Sequence, residues 1–235
     1  MKWFWNRQKY TIQDLNITGS SYSHAQREMF KIAFIDDDDF VYQSRLANLG
    51  FRINKYEDVQ DLNMLSSYDI IISDIRGVGK SFNSEAEGAF LLHELKRTYP
   101  YKVYAAYTGS AFDVKINTYL SGIQVIKKDI SIEEWSAAID SLISDKSNPK
   151  IVWKRMRSEL LDIEVPLADL MKLEDEFVFK VLNKESLARF PIGQDQKPFV
   201  SRCNKNHIVH SSSFICEATD CIEYAMQHEL FTFSI

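Results

Sequence analysis

The chain has no run of apolar residues near the roughly 20 that a bilayer span needs, and basic residues do not outnumber acidic ones. With 28 Lys plus Arg against 33 Asp plus Glu, the formal charge is −5, which gives no general pull toward nucleic acid or an anionic membrane. Cysteine is scarce. Three residues, an odd count, exclude a fully paired disulfide scaffold and fit a reducing compartment. The opening stretch MKWFWNRQKY lacks the apolar segment and small-residue cleavage site of a secretory signal, so a cytoplasmic location is expected. What remains is an ordinary globular balance, 45% hydrophobic and 26% charged over 235 residues, enough for one or two compact domains.

From residue 31 short apolar runs alternate with amphipathic stretches, the pattern of a parallel sheet covered by helices. Strands are expected at Lys31–Ile35, Phe51–Lys55, Asp69–Ser73, Lys102–Tyr107 and Ile123–Ile126. The third is almost unbroken in branched residues, as suits a central strand. Glu85–Thr98 places Phe90, Leu91 and Leu95 on one helical stripe, and Ser131 with Glu134 is a capping-box signature opening another helix through Trp135, Ile139 and Leu142.

The turn-rich stretch Ser144–Pro149 ends this pattern. The expected division is an extension over 1–30, an α/β domain over 31–144, a linker over 145–149 and a smaller α or α+β domain over 150–235. In the last part helices are expected over Ile151–Leu161 and from Pro166 to about Leu182, strands within Phe199–Cys216, and a final helix capped by Asp220 with Glu223.

In a right-handed parallel sheet all strand C-termini lie on one edge, where ligands bind. Polar residues stand at four of the five expected ends. Asp36 and Asp37 lead an acidic run through Asp39 after the first strand, Asp74 follows the third, Thr108 the fourth and Lys127 the fifth. Two carboxylates about 4 Å apart repel by about 4 kcal/mol at an effective dielectric near 20, so three such groups take up protons or bind a cation. Oxygen ligation suits Mg²⁺, which shares its shell readily with a phosphate oxygen.

These residues in this order resemble the receiver domain of two-component response regulators, over about Lys31 to Ser144. The resemblance implies a five-stranded, parallel, doubly wound, flavodoxin-like fold. It implies Mg²⁺ held by Asp36, Asp37 and Asp74 with the backbone carbonyl of Arg76, and phosphoryl transfer to Asp74 from a sensor histidine kinase or phosphotransfer protein. Thr108 and Lys127 would complete the switch. Three features depart from the family pattern. Lys128 stands where proline usually follows the lysine, Gln124 stands at the aromatic switch position, and the loop from Asp74 to Glu87 and Gly88 is longer than usual.

Other motifs carry less. Gly77-Val78-Gly79-Lys80-Ser81 mimics the end of a phosphate-binding loop, but the complete motif needs glycine where Asp74 stands. Cys203, Cys216 and Cys221 lie near His207, His210 and His228, but their spacing matches no common zinc pattern, so a metal-free core is expected. From residue 150 onward 11 Lys plus Arg face 13 Asp plus Glu, with only Lys154, Arg155 and Arg157 clustered. DNA-binding output is therefore disfavoured, and a protein-contact domain, with a homodimer among its options, is expected. The alternatives are a receiver-like scaffold that takes no phosphate and an enzyme gated by the receiver.

Overall fold

The computed structural model describes residues 8–18, 22–82, 84–109, 114–162, 164–187 and 232–233. They fall into two compact units, Ser20–Lys146 and a second made of Met1–Gly19 with Ser147–Ile235. The elements in chain order are β1 (Ile17–Thr18), α1 (His24–Arg27), β2 (Lys31–Ile35), α2 (Gln43–Asn48), β3 (Arg52–Tyr56), β4 (Ile70–Asp74), α3 (Glu87–Thr98), β5 (Val103–Thr108), α4 (Val114–Tyr119), β6 (Gln124–Lys127), α5 (Ile132–Ser147), α6 (Pro149–Asp162), α7 (Leu167–Leu182) and β7 (Thr232–Phe233).

The Ser20–Lys146 unit is a five-stranded, all-parallel sheet in the order β3-β2-β4-β5-β6. Counted within the sheet, that is second-first-third-fourth-fifth, the doubly wound flavodoxin-like order. The expected strands are present. β2 has the expected bounds, and the other four begin and end one residue later. At β3 the reason is local: the Phe51 N–H returns to the Leu46 carbonyl and closes the end of α2, so pairing begins at Arg52.

Strand alternation sorts the core into two faces. Ala33, Ile35, Ile71, Tyr104 and Ala106 meet Leu91, Leu92 and Leu95 of α3. On the opposite face Phe34 and Tyr107 meet Trp135 of α5, with ring centroids 5.9 and 5.7 Å apart. Every residue of β4 is buried, as its branched run requires. The expected capping box opens α5: the Ser131 N–H donates to Glu134 Oε2 at 2.7 Å and the Glu134 N–H to Ser131 Oγ at 3.2 Å.

In the second unit α6 and α7 form around Trp153 stacked on Phe177 at 5.2 Å. The segment before β1, which includes a 3-10 turn over Ile12–Asp14, docks there. Glu174 accepts from the Ile12 N–H at 2.9 Å and from the Trp153 indole N–H at 2.8 Å, and Asp175 accepts from the Tyr10 N–H. β1 pairs antiparallel with β7. The strands expected within Phe199–Cys216, the helix expected after Asp220, and the cysteine and histidine cluster lie outside the described residues.

Candidate functional site

Asp74 is the last residue of β4 and pairs with Tyr107 of β5, which in turn pairs with Ile126 of β6. These three side chains share the face that carries Trp135. Asp36, one residue past Ile35, belongs to the same row. Both carboxylates are nearly sequestered, Asp36 at 2% exposure and Asp74 at 5%. Asp74 Oδ1 accepts from the Ile75 N–H at 2.6 Å and the Arg76 N–H at 3.4 Å, while Oδ2 accepts from Lys128 Nζ at 2.7 Å. The same ammonium is 3.8 Å from Asp36 Oδ1 and 4.7 Å from the Tyr107 ring centroid.

The lysine in the pocket is therefore Lys128, and Lys127 does not take the place expected of it. Thr108 pairs with Lys127, so Lys127 lies in a row on the other face of the sheet, and its side chain is exposed. Two residues on from Ile126, alternation returns to the Asp74 face and delivers Lys128. The Lys128 N–H bonds the Thr108 carbonyl at 2.9 Å, carrying the ladder one residue past β6. Counting back three residues from Lys128 reaches Val125, which is also not aromatic. The ring that the pocket cation faces is Tyr107.

Thr108 closes β5 and is buried at 8% exposure. Arg76 is exposed in the turn directly after Asp74. Asp36, Asp37 and Asp38 each bring a carboxylate oxygen within 4.8 Å of the others. Asp37 folds over Gly77, where an added Cβ would lie 2.3 Å from both carboxylate oxygens; Gly77 also has φ +79°. In the sequence the third member, Asp38, stands out only as part of an acidic run.

Electrostatics favour a cation here. Burial pushes the Asp36 carboxyl above its ordinary range, only partly offset by the Asp38 N–H and Lys128. Burial pushes the Lys128 ammonium down, but the hydrogen bond to Asp74 and the charges of Asp74, Asp36 and Asp38 outweigh it, leaving its pKa raised. An all-oxygen donor set around a buried carboxyl with so little positive charge fits a hard divalent ion such as Mg²⁺.

The string Gly77-Val78-Gly79-Lys80-Ser81 forms no phosphate cradle. Its N–H groups are taken by carboxylates: Gly77 donates to Glu87 Oε2 at 2.8 Å, and Gly79 and Lys80 donate to the two oxygens of Asp58 at 2.5 and 3.3 Å. Lys80 Nζ reaches Asp37 Oδ2 at 3.4 Å. The sequence points to Lys80 only within the GVGKS string and to Glu87 only as the end of the long loop, and gives no sign of Asp58, because their meeting depends on the loop's path.

No helix among the described residues is long and apolar enough to cross a membrane. No family model and no curated protein matches the chain. Solved structures do match. The receiver domain of nitrogen regulatory protein C is 25% identical over 50% of this chain and 96% of its own, with TM-score 0.42. A response regulator receiver domain protein from Clostridium thermocellum is 21% identical over 50% and 96%, TM-score 0.41. The signal receiver domain of an HD domain-containing protein from Pseudomonas fluorescens Pf-5 is 21% identical over 49% and 88%, TM-score 0.41. By the strand order of its own sheet, the Ser20–Lys146 unit has the doubly wound, flavodoxin-like fold of receiver domains.

Proposed function

We propose that the chain is a phospho-accepting signalling regulator of the cytoplasm. Asp74 takes a phosphoryl group from the phosphohistidine of a sensor kinase or phosphotransfer protein, and the part after residue 150 passes the state on through protein contacts. The observation that supports this best is the pairing of buried Asp74 with Lys128 at 2.7 Å beside a second buried acid, Asp36. Mg²⁺ would be held by Asp36, Asp37 and Asp74 with the Arg76 carbonyl, and when bound it supplies charge neutralisation for these carboxylates and the incoming anion.

The chain's own groups do the rest. An Asp74 carboxylate oxygen attacks phosphorus while the N–P bond to the donor breaks, and its electrons return to the imidazole, which takes up a proton. The Ile75 N–H holds Asp74 Oδ1 at 2.6 Å and fixes the carboxylate's orientation. Lys128 takes the role expected of Lys127, staying beside the acyl phosphate and offsetting its charge. Thr108, which lies in the row of Lys127 on the other face of the sheet, donates its hydroxyl to a phosphoryl oxygen only after the end of β5 turns toward Asp74. A phosphate adds about −1.5 to −2 charge and new acceptors, enough to rearrange the β5 end that carries Thr108.

Protein contact is favoured for the output because the C-terminal segment carries more acids than bases. Exposure of the full chain to Mg²⁺ and a small-molecule phosphodonor, read by intact mass, tests the proposal. A base-labile increment of one phosphoryl group, absent in Asp74→Asn, is expected. No increment in the wild-type chain overturns it.

A further inference from the structure

We propose that Lys80 is a loop-borne competitor for the divalent ion: it occupies Asp37 in the metal-free protein and must leave when the ion arrives, so the Gly77–Phe82 loop sets the site's metal affinity. This rests on reading Asp36 and Asp37 as metal ligands.

Three observations carry it. First, Lys80 Nζ lies 3.4 Å from Asp37 Oδ2, and both side chains reach solvent, at 63% and 40% exposure. An ion pair so exposed is weak and easily exchanged, and a doubly charged ion beside the same carboxylate outbids a single ammonium.

Second, the loop that aims Lys80 is built rather than slack. Asp58 fixes the backbone N–H groups of Gly79 and of Lys80 itself, Ser81 Oγ donates to the Val59 carbonyl at 2.9 Å, and Val78 is fully buried. Glu87 adopts φ +46°, uncommon for a residue with a Cβ, while its carboxylate holds the Gly77 N–H.

Third, the position of Asp37 depends on the same loop, because its carboxylate lies over the Cα of Gly77. The loop thus supplies both the seat for Asp37 and the cation that neutralises it. Lysine suits a displaceable partner, since its ammonium is a well-hydrated point charge on a flexible stem that can swing into water once the ion enters.

The test is Mn²⁺ binding to the full chain, followed by the electron paramagnetic resonance signal of free Mn²⁺. Removing the competitor in Lys80→Ala is expected to tighten binding about fivefold, on the scale of an exposed ion pair beside a divalent charge. Lys80→Gln should match it, and Lys80→Arg should stay within about twofold of wild type. The gain should disappear when Lys80→Ala is combined with Asp37→Asn. Measurable binding that is unchanged or weakened in both Lys80→Ala and Lys80→Gln overturns the proposal and leaves the phospho-acceptor reading standing. No binding by wild type at millimolar Mn²⁺ overturns the proposal and the metal-ligand reading together.

Discussion

Lys128 joins the acidic site to the aromatic core: its ammonium donates to Asp74 Oδ2 at 2.7 Å and stands 4.7 Å from the Tyr107 ring centroid. Asp74 and Tyr107 are register partners on adjacent strands, so the lysine bridges two side chains of one row from above. Any redistribution of charge at Asp74 is felt by a ring that packs on Trp135.

Loss of that cation should cost stability, whereas loss of its neighbour should not. In Lys128→Met two buried carboxylates lose their shared partner, a loss expected to destabilise the metal-free protein by about 1–2 kcal/mol after allowance for the lysine's partial exposure. Lys127→Met, on an exposed residue of an edge strand, should stay within about 0.5 kcal/mol of wild type. Urea denaturation of both variants in a chelator checks this. Equal losses would mean that both lysines serve the pocket.

The raised Asp36 carboxyl has a definite linkage sign. In the folded protein it binds its proton more tightly than the ordinary value of 3.8, so between 3.8 and the higher folded value the native state holds more protons. Stability therefore falls as pH rises through that window. Asp36→Asn, which keeps an oxygen for the Asp38 N–H, should stabilise the metal-free protein at pH 7, with the gain shrinking as pH falls toward 3.8. Saturating wild type with Mg²⁺ at 100 times its Kd should add about 2.7 kcal/mol, and the variant should gain much less. Thermal denaturation with and without Mg²⁺, across pH, measures both effects.

The strands were legible as short branched runs between amphipathic stretches, whereas their order came only with the resemblance to receiver domains, since right-handed crossovers are compatible with more than one order. The acids were legible because strand ends converge on one edge; Thr108 stands at the end of its strand but in the row of Lys127. The pocket lysine was not. Choosing between Lys127 and Lys128 requires knowing which face Asp74 shares with Ile126, and that depends on inter-strand register. Lys80 was hidden for a different reason: its loop is shaped by Asp58 and Glu87, 22 and 7 residues away in sequence, and GVGKS by itself reads as a broken phosphate loop.

Three glycines near the site separate steric need from tolerance. A Cβ at Gly88 would lie 2.0 Å from the Asp74 carbonyl oxygen and 2.8 Å from Val78 Cγ2, so Gly88→Ala should cost about 1–3 kcal/mol by forcing α3 away from β4. Gly77→Ala meets both a positive φ and the Asp37 carboxylate, and should weaken Mn²⁺ binding about tenfold as Asp37 is pushed aside. At Gly109 the nearest atom is Lys128 Cβ at 3.9 Å, so alanine should be tolerated. Urea midpoints and Mn²⁺ titration of the three variants test the ranking; a neutral Gly88→Ala would show that the α3 approach is adjustable.

The aromatic cluster offers an internal reporter of the site. Phe40, directly after the acidic run, stacks on Phe34 at 3.9 Å and lies 5.2 Å from Trp135, while Tyr107 under Lys128 lies 5.7 Å from the same indole. The Trp135 N–H is buried with no hydrogen-bond partner among the described residues, so the ring sits in an apolar setting whose emission responds to small shifts of its neighbours. Cation binding at the acids should reach it through Phe40, and phosphorylation of Asp74 through Lys128 and Tyr107. Tryptophan emission is therefore expected to change on adding Mg²⁺ and again on adding a phosphodonor. Both changes should vanish in Trp135→Phe, which leaves Trp3, Trp5 and Trp153 in place, and Tyr107→Leu should suppress the second change more than the first. Persistence of either signal in Trp135→Phe would place the responding indole elsewhere and sever the link drawn between the acidic edge and α5.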